Sequence, residues 1–232
     1  MHVTAIVVAA GAGRRIGGEI PKTYLPIAGR SLVLRTLDRL FSAKTVENVV
    51  LVVAANDFER CAAMLSADAA LRHRPYRMQT GGATRQQSAK RGLEMVGPET
   101  DIVVIHDGAR PFVSAALIDR CVAAAKEKGA VVTGLPARDT IKVVGDDRLI
   151  QATPERRNLW EIQTPQVFLK ELIVAAHERA EKDSVEITDD AMAVEHFGRP
   201  VYVVDGERTN FKITVPEDVW LAEMMIREGR VP

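Results

Sequence analysis

Short apolar segments alternate with helix-like segments along most of this chain, and this alternation constrains the fold more than any other feature. A strand that is buried on both faces has a continuous run of apolar residues in its sequence. Such runs separated by amphipathic helices predict a Rossmann-like α/β fold, an open, mostly parallel twisted sheet with helices on both faces. The predicted strands are 3–9, 46–54, 77–80, 101–106 and 130–135, and the predicted helices are 31–41, 57–66, 84–95, 114–128 and 169–181.

Local signals mark several element ends. Ser31 and Thr188 are predicted helix N-caps, because their hydroxyls can accept from free backbone N–H groups. Gly129 is a typical C-cap residue, and Pro216 suits the first turn of the last helix. Two acids, Asp189 and Asp190, suit the positive end of a helix dipole. Two further strands are predicted at 201–204 and 210–214.

The alternation breaks after residue 135. Segments 140–144 and 148–151 alternate in strand fashion around Gly145-Asp146-Asp147, which predicts a hairpin. Residues 138–158 form either an arm that projects from a single domain of residues 1–232 or an added edge hairpin on the main sheet. The pattern alone does not separate these alternatives.

The first predicted strand runs into a turn of small residues, Ala10-Gly11-Ala12-Gly13, followed by Arg15 and Lys22. Small residues let backbone N–H groups approach an anion, and the two cations add charge. The spacing lacks the third glycine of a dinucleotide fingerprint and the Gly-Lys-Ser/Thr of a Walker A loop. The turn therefore predicts a nucleoside triphosphate site of another kind.

The ends of other predicted strands carry residues of matching chemistry. In open parallel sheets ligands bind beyond the carboxyl ends of the strands, so these residues are expected at one edge. They are Gly81, Gly82, Arg85, Ser88, Asp107, Gly108, Arg110 and Lys212.

Composition excludes several function classes. Lys plus Arg equals Asp plus Glu at 31 each, which argues against a nucleic-acid or membrane surface as the main partner. The two cysteines, Cys61 and Cys121, resemble buried hydrophobes, and the five histidines lack zinc-site spacing. The start of the chain lacks a signal-peptide pattern and no apolar run could span a membrane, so a cytoplasmic location is expected.

Motifs for acyl transfer and glycoside hydrolysis are not found in the sequence. A reaction that needs no protein base therefore becomes attractive. A phosphate monoester is mostly ionised at neutral pH, because its second pKa is about 6, and can itself attack. The protein then has to align the reactants and neutralise the triphosphate.

Eight motifs occur in an order that resembles one family over essentially the whole chain. The chain is similar to the 2-C-methyl-D-erythritol 4-phosphate cytidylyltransferases of non-mevalonate isoprenoid synthesis. The motifs are Ala9-Ala10-Gly11-Ala12-Gly13-Arg14-Arg15, Pro21-Lys22-Thr23-Tyr24-Leu25, Gly81-Gly82 with Arg85 and Ser88, His106-Asp107-Gly108-Ala109-Arg110-Pro111, Arg138-Asp139-Thr140-Ile141-Lys142, Gln163-Thr164-Pro165-Gln166, Ile187-Thr188-Asp189-Asp190 and Asn210-Phe211-Lys212-Ile213-Thr214.

The resemblance implies transfer of CMP from CTP to methylerythritol phosphate with Mg²⁺, and a homodimer in which the arm crosses to the second subunit. It implies catalytic roles for Arg15, Lys22 and Lys212, with Arg15 and Lys22 stabilising the transition state. The implied nucleotide contacts are Ala10, Gly11, Ala12, Gly13, Gly82, Ser88, Asp107 and Gly108. The implied acceptor contacts are Arg110, Thr140, Arg156, Thr164 and Thr188, and Asp107 is the implied metal ligand.

Two positions depart from the family pattern or leave a choice. Ala83 follows Gly82 where some members carry aspartate, which leaves a backbone contact to cytidine there. Arg156 and Arg157 compete for one acceptor role, and alignment on Thr153 favours Arg156.

Other functions are open from the sequence. A related cytidylyltransferase would act on ribitol 5-phosphate, a sugar-1-phosphate nucleotidyltransferase would use UTP, dTTP or GTP, and a regulatory module would bind CTP without releasing pyrophosphate.

Overall fold

The computed structural model describes residues 1–11 and 21–231 of the chain. Its strands, numbered along the chain, are β1 (His2–Ala9), β2 (Pro26–Ile27), β3 (Arg30–Ser31), β4 (Asn48–Val53), β5 (Tyr76–Thr80), β6 (Thr100–Asp107), β7 (Ala130–Pro136), β8 (Val143–Val144), β9 (Ile150–Ala152), β10 (Trp160–Leu169) and β11 (Tyr202–Asp205). The helices are α1 (Leu32–Ser42), α2 (Phe58–Ala67), α3 (Arg85–Glu94), α4 (Ala115–Lys128), α5 (Lys170–Lys182), α6 (Asp190–His196) and α7 (Pro216–Arg227).

Seven of these strands form one sheet in the order β11–β7–β10–β6–β1–β4–β5. β1 pairs in parallel with both β4 and β6, and β5 and β11 also pair in parallel with their neighbours. β10 is antiparallel to both β6 and β7. The sheet is therefore mostly parallel, as the sequence predicts, with one reversed strand inside it.

Both faces of the sheet are covered by helices. On one face Val7, Leu51 and Val104 belong to a buried cluster with side chains of α1, α2 and α4. On the other face Ile6 and Ile105 pack in a second cluster with side chains of α3, α5 and α6. Burying a side chain of this size contributes about 1.5–3 kcal/mol, so the two-sided burial explains why the strands are continuously apolar.

Two predictions for strands were wrong. The apolar pattern predicts no strand at 160–169, yet β10 lies between β6 and β7. Gln163, Thr164, Pro165 and Gln166 interrupt its apolar pattern, and the pairing with β7 shifts between Gln163 and Gln166 to accommodate them. Conversely, 210–214 is irregular backbone rather than a strand.

The predicted hairpin is present as β8 and β9, which pair with each other in a separate two-stranded sheet. It continues outward from the pairing of β7 with β10, because the N–H of Ala137 donates to the carbonyl of Leu159 at 2.9 Å. Ile150 and Leu149 are exposed on it. The hairpin is therefore not an added edge of the main sheet.

Two predicted helix caps need correction. Ser31 precedes α1, but its hydroxyl contacts Met64 Sδ at 3.4 Å instead of capping the helix. At α6 the cap is Asp189, whose carboxylate accepts from the N–H of Met192, whereas Thr188 lies one residue earlier and is exposed. Gly129 ends α4 with a φ of 83°, as predicted for a glycine C-cap.

Within the described residues, no helix combines the length and apolarity needed to cross a bilayer.

Candidate active site

A cleft of about 630 Å³ lies at the carboxyl edge of the parallel strands, where the sequence predicts the ligand site. It is bordered by the end of β1, the loop after β5, the end of β6 and the irregular segment before α7. Among the residues that line it are Ala10, Gly11, Lys22, Thr23, Gly82, Arg85, Ser88, Asp107, Lys212 and Thr214.

Small residues allow the loops around the cleft to approach one another closely. A Cβ at Gly81 would collide with the side chain of Ala10 and lie 2.8 Å from Ser88 Oγ. A Cβ at Gly108 would lie 2.9 Å from that of Ala9. The missing side chains at Gly81 and Gly108 therefore permit the packing that brings three loops to one edge.

The loop between β5 and α3 is held by its own hydrogen bonds. Thr84 caps α3 by accepting from the N–H of Gln87 at 3.1 Å. The buried hydroxyl of Ser88 donates to the carbonyl of Thr84 and accepts from the N–H of Gly82. The N–H of Ala83 donates to Oε1 of Gln87 at 2.8 Å. The N–H groups of Gly82 and Ala83 are thus both engaged within the loop.

Asp107 is the carboxylate at the centre of the cleft. Lys212 Nζ lies 2.7 Å from its Oδ2, and Arg85 Nε lies 3.4 Å from its Oδ1. Burial raises the pKa of Asp107, but the charges of Arg85, Lys212 and Arg110 lower it by a larger amount. The pKa of Asp107 therefore lies well below its ordinary value. Asp107 is therefore ionised at neutral pH and compensates part of the positive charge around the cleft.

His106 and Thr164 hold the backbone beside Asp107. Nε2 of the fully buried His106 lies 3.0 Å from the carbonyl oxygen of Arg110, which can only accept, so Nε2 carries the hydrogen. Nδ1 then accepts from the hydroxyl of Thr164 at 3.1 Å, and that hydroxyl oxygen accepts from the N–H of Asp107 at 3.0 Å. Burial lowers the pKa of His106 to about 4, so the ring is neutral at neutral pH.

Two side chains behind the cleft, Asp190 and His177, are not predicted as site residues from the sequence. Arg85 donates to Asp190 at 2.7 Å, and Asp190 in turn lies 3.1 Å from Nε2 of His177. Asp190 was interpreted only as a helix-dipole residue, and His177 was not singled out. Two adjacent acids at a helix start give a weak signal, because only one of them can be the N-cap and the other is left for a different contact. No feature of the sequence around His177 marks it as a site residue.

The structure brings together only part of the predicted site. Ala10, Gly11, Lys22, Gly82, Ser88, Asp107 and Lys212 line the cleft. Ala12, Gly13 and Arg15 lie outside the described residues. The remaining predicted contacts are not among the described lining residues of the cleft: Gly108, Arg110, Thr140, Arg156, Thr164 and Thr188.

Several of these remaining residues have other partners. Arg110 donates to the carbonyl of Asn210 at 2.8 Å, and the exposed Arg156 donates to the carbonyl of Arg138 at 2.8 Å. Arg157, the alternative to Arg156, pairs with Glu155 at 2.7 Å. Both arginines of this pair thus contact their own hairpin segment.

The described residues offer few side-chain donors to a divalent metal. In the described part of the chain no group of three or more His, Cys, Asp or Glu side chains could hold an ion. Mg²⁺ is commonly held by one or two carboxylates together with substrate phosphates and water. The single carboxylate of Asp107 fits a magnesium ion of that kind, and does not fit an ion held by protein side chains alone.

A mostly parallel α/β sheet with a basic, glycine-bordered cleft at its carboxyl edge is the architecture of a nucleotidyltransferase. The model of one family, described as IspD: 2-C-methyl-D-erythritol 4-phosphate cytidylyltransferase, matches residues 3–228. The chain belongs to this family and is a nucleotidyltransferase.

Individual relatives agree with the family match. The 2-C-methyl-D-erythritol 4-phosphate cytidylyltransferase of Geobacter metallireducens is 42% identical over 98% of this chain and 99% of its own length. That of Caldanaerobacter subterraneus subsp. tengcongensis is 39% identical over 98% of this chain and 100% of its own length. The crystal structure of 4-diphosphocytidyl-2C-methyl-D-erythritol synthase from Anaerococcus prevotii has a TM-score of 0.86 at 33% identity, covering 97% of this chain and 96% of that one. These comparisons favour this family over the ribitol 5-phosphate alternative.

Proposed function

We propose that this chain transfers CMP from CTP to 2-C-methyl-D-erythritol 4-phosphate, releases pyrophosphate and so serves isoprenoid precursor synthesis. The observation that carries the proposal is the convergence of Lys22, Gly82, Asp107 and Lys212 on one cleft beside Gly11. A backbone of small residues with cations around it suits a triphosphate. The description of the family indicates cytosine as the nucleobase of the nucleotide and 2-C-methyl-D-erythritol 4-phosphate as the acceptor.

The proposed reaction is an in-line displacement. An oxygen of the acceptor phosphate forms a bond to the α-phosphorus of CTP, and the bond from that phosphorus to the oxygen bridging to the β-phosphorus breaks. Pyrophosphate leaves with the electron pair. Because the acceptor phosphate is already anionic near neutral pH, with a second pKa of about 6, the protein needs no general base.

The roles of the chain's residues are therefore orientation and charge compensation. Lys22 and Lys212, with Arg15, are proposed to stabilise the charge that develops on the triphosphate. Ser88 and Gly82 are proposed to shape the cytidine pocket, since their mutual hydrogen bond fixes the loop. Asp107 and Gly108 are proposed to contact the ribose and the metal. The small residues of the first turn are proposed to face the phosphates: Ala10, Gly11, Ala12 and Gly13.

We propose that Asp107 would hold a magnesium ion, which would supply compensation of phosphate charge. Lys212 and Arg85 contact the two oxygens of Asp107 in this structure, so these cations and an ion would compete for the same carboxylate.

The acceptor end is proposed to be completed by the arm of a second subunit in a homodimer. In each cleft, Arg110, Thr164 and Thr188 of one subunit would contact the acceptor. Thr140 and Arg156 would reach the same acceptor from the arm of the other subunit. Apolar residues support an interface, because Ile141, Val143 and Val144 are 42%, 45% and 51% exposed on the hairpin.

A cytoplasmic location is also proposed. Cys61 and Cys121 are both buried and reduced, which suits a compartment where thiols persist.

The function is tested by measuring pyrophosphate release from the purified enzyme with CTP, Mg²⁺ and methylerythritol phosphate. Release is expected with this acceptor and not with CTP alone. Matched reactions replace the acceptor by ribitol 5-phosphate and CTP by UTP, dTTP or GTP. Preference for ribitol 5-phosphate or for another nucleotide would overturn the proposal, as would CTP binding with no pyrophosphate under any acceptor.

A further inference from the structure

A continuous series of polar contacts leads from the cleft into the interior. Lys212 and Arg85 hold the two oxygens of Asp107 at 2.7 and 3.4 Å. Arg85 also donates to Oδ2 of Asp190 at 2.7 Å, and Oδ1 of Asp190 lies 3.1 Å from Nε2 of His177. The carboxylate in the cleft is thereby connected to a histidine on α5 through two charged side chains.

The inner two members of this series cannot contact a ligand in the cleft directly. Asp190 is 0% and His177 2% exposed, and neither lines the cleft. Helix capping does not explain Asp190, because its neighbour Asp189 already accepts from the N–H of Met192 at 2.9 Å. Burying an ionised carboxylate costs free energy unless the carboxylate is paired. Its contacts with Arg85 and His177 therefore offset the cost of burying Asp190.

The backbone around Asp190 is also fixed. Oε1 of Gln166, on β10, accepts from the N–H groups of Asp190 and Ala191, each at 3.1 Å. Burial raises the pKa of Asp190, but the charge of Arg85 and the hydrogen bond from His177 lower it by a larger amount. The pKa is therefore below its ordinary value, and the carboxyl group is ionised. Arg85 is therefore divided between two carboxylates, one in the interior and one in the cleft.

We propose that His177 and Asp190 are positioning residues, through which Arg85 fixes the Asp107 carboxylate at the nucleotide end of the cleft. His177 orients Asp190, and Asp190 keeps Arg85 from moving wholly onto Asp107 and displacing Lys212. This inference rests on the proposed function, since it assigns these residues to CTP use. Of the proposed acceptor contacts, Thr140 and Arg156 lie on the hairpin arm, whereas Thr188 precedes Asp190 by two residues and has an exposed side chain. Acceptor use is therefore expected to change less than CTP use.

The test compares variants of His177 in the intact enzyme. His177→Phe keeps a ring but removes the N–H donor to Asp190, whereas His177→Gln keeps an N–H at a similar reach. We expect His177→Phe to lower kcat/KM for CTP about tenfold or more, because small displacements of positioned groups are costly, and to change the KM for the acceptor less than the KM for CTP. His177→Gln is expected to restore most of the loss.

Two further variants separate positioning from stability. Thr4→Val removes the buried contact of Thr4 with Thr100, 2.8 Å long, near the opposite edge of the sheet. It is expected to lower the melting temperature and to leave both kinetic constants unchanged. Asp190→Asn keeps the side-chain shape but removes the charge, and it is expected to lower kcat/KM for CTP at least as much as His177→Phe.

The kinetic and binding outcomes are decisive. CTP affinity is measured by calorimetry on each folded variant. If His177→Phe does not fold, His177→Leu, which also lacks a donor, replaces it. Unchanged kcat/KM and CTP affinity in the folded His177 and Asp190 variants would overturn the inference, as would an equal rise in the KM values for CTP and for the acceptor. If the wild-type enzyme releases no pyrophosphate, the proposed function fails instead, and the CTP affinities of the variants still decide the positioning role.

Discussion

Nζ of Lys212 lies 2.7 Å from Oδ2 of Asp107, although 105 positions separate the two residues. Asp107 ends β6, whereas Lys212 lies on the irregular segment before α7. The N–H of Ile213 donates to the carbonyl of Ala109 at 2.9 Å and so ties the two segments together. The backbone therefore gives the ammonium group a fixed place beside the cleft carboxylate.

Replacing Lys212 tests this placement. Lys212→Met is expected to lower turnover about 10²–10³-fold, the usual loss when one group aimed at the transition state is removed. Pyrophosphate release at saturating substrates measures the effect. Lys126→Met, at an exposed position of α4, is the matched control and should leave turnover unchanged. Similar losses in both variants would show that overall charge, not this position, matters.

Lys22 also lines this cleft. Lys22→Ala is expected to reduce kcat by about 10²–10³-fold, because we propose that its charge compensates the developing charge of the triphosphate. Single-turnover kinetics separate the chemical step from product release. A reduction of less than about tenfold would contradict a transition-state role.

Arg156 is expected to serve the acceptor only. Arg156→Ala should raise the KM for methylerythritol phosphate and leave the affinity for CTP unchanged, because the arginine lies on the hairpin arm and outside the described lining of the cleft. Initial rates with each substrate varied in turn measure the two effects. The parallel variant Arg157→Ala shows whether its neighbour carries the role.

Mixing variants tests the crossing of the arm. If Arg156 acts in the partner's cleft, mixed dimers of Lys22→Ala and Arg156→Ala chains contain one cleft with both wild-type residues. At a methylerythritol phosphate concentration well below the KM of Arg156→Ala, activity should then rise above that of either parent when the two impaired proteins are dissociated and reassociated together. A mixture that stays as impaired as its parents would place Arg156 in its own subunit's cleft, or outside the reaction.

His106 makes stability depend on pH. Burial lowers its pKa from 6.5 to about 4 in the folded protein, so below 6.5 the unfolded chain binds a proton that the folded chain does not. The free energy of unfolding should therefore decrease as pH falls from 6.5 to about 4, by about 3 kcal/mol at 1.36 kcal/mol for each pKa unit. Urea unfolding across this range measures it. In His106→Gln this component should vanish, and an equally steep decrease in that variant would assign it to other groups.

Gly81 tests the close approach of two loops. A Cβ at this position would meet the side chains of Ala10 and Ser88. Gly81→Ala is therefore expected to displace the loop and weaken CTP binding about tenfold or more, since a small misplacement of positioned groups is costly. Gly198→Ala is a control on an open surface turn, which should lose stability through its φ of 78° but keep CTP affinity. Unchanged CTP affinity in Gly81→Ala would show that the loops tolerate separation.

Regular elements were predictable wherever local chemistry decides them. The apolar runs around Val7, Leu51 and Val104 identify parallel strands, because both faces of each are buried. Gly129 identifies the end of α4 through its left-handed backbone. β10 escaped prediction, because Thr164 and Pro165 interrupt its pattern and its place between β6 and β7 depends on partners distant in sequence.

By itself the sequence determined the α/β class, the edge at which the ligand site lies, and Lys22, Asp107 and Lys212 as members of that site. These follow from periodicity, from small residues at strand ends and from charges beside them. Only the tertiary structure decided that Asp190 and His177 stand behind Arg85. Such contacts join separate helices in the interior, and their energy depends on burial and distance, which no local stretch of sequence encodes.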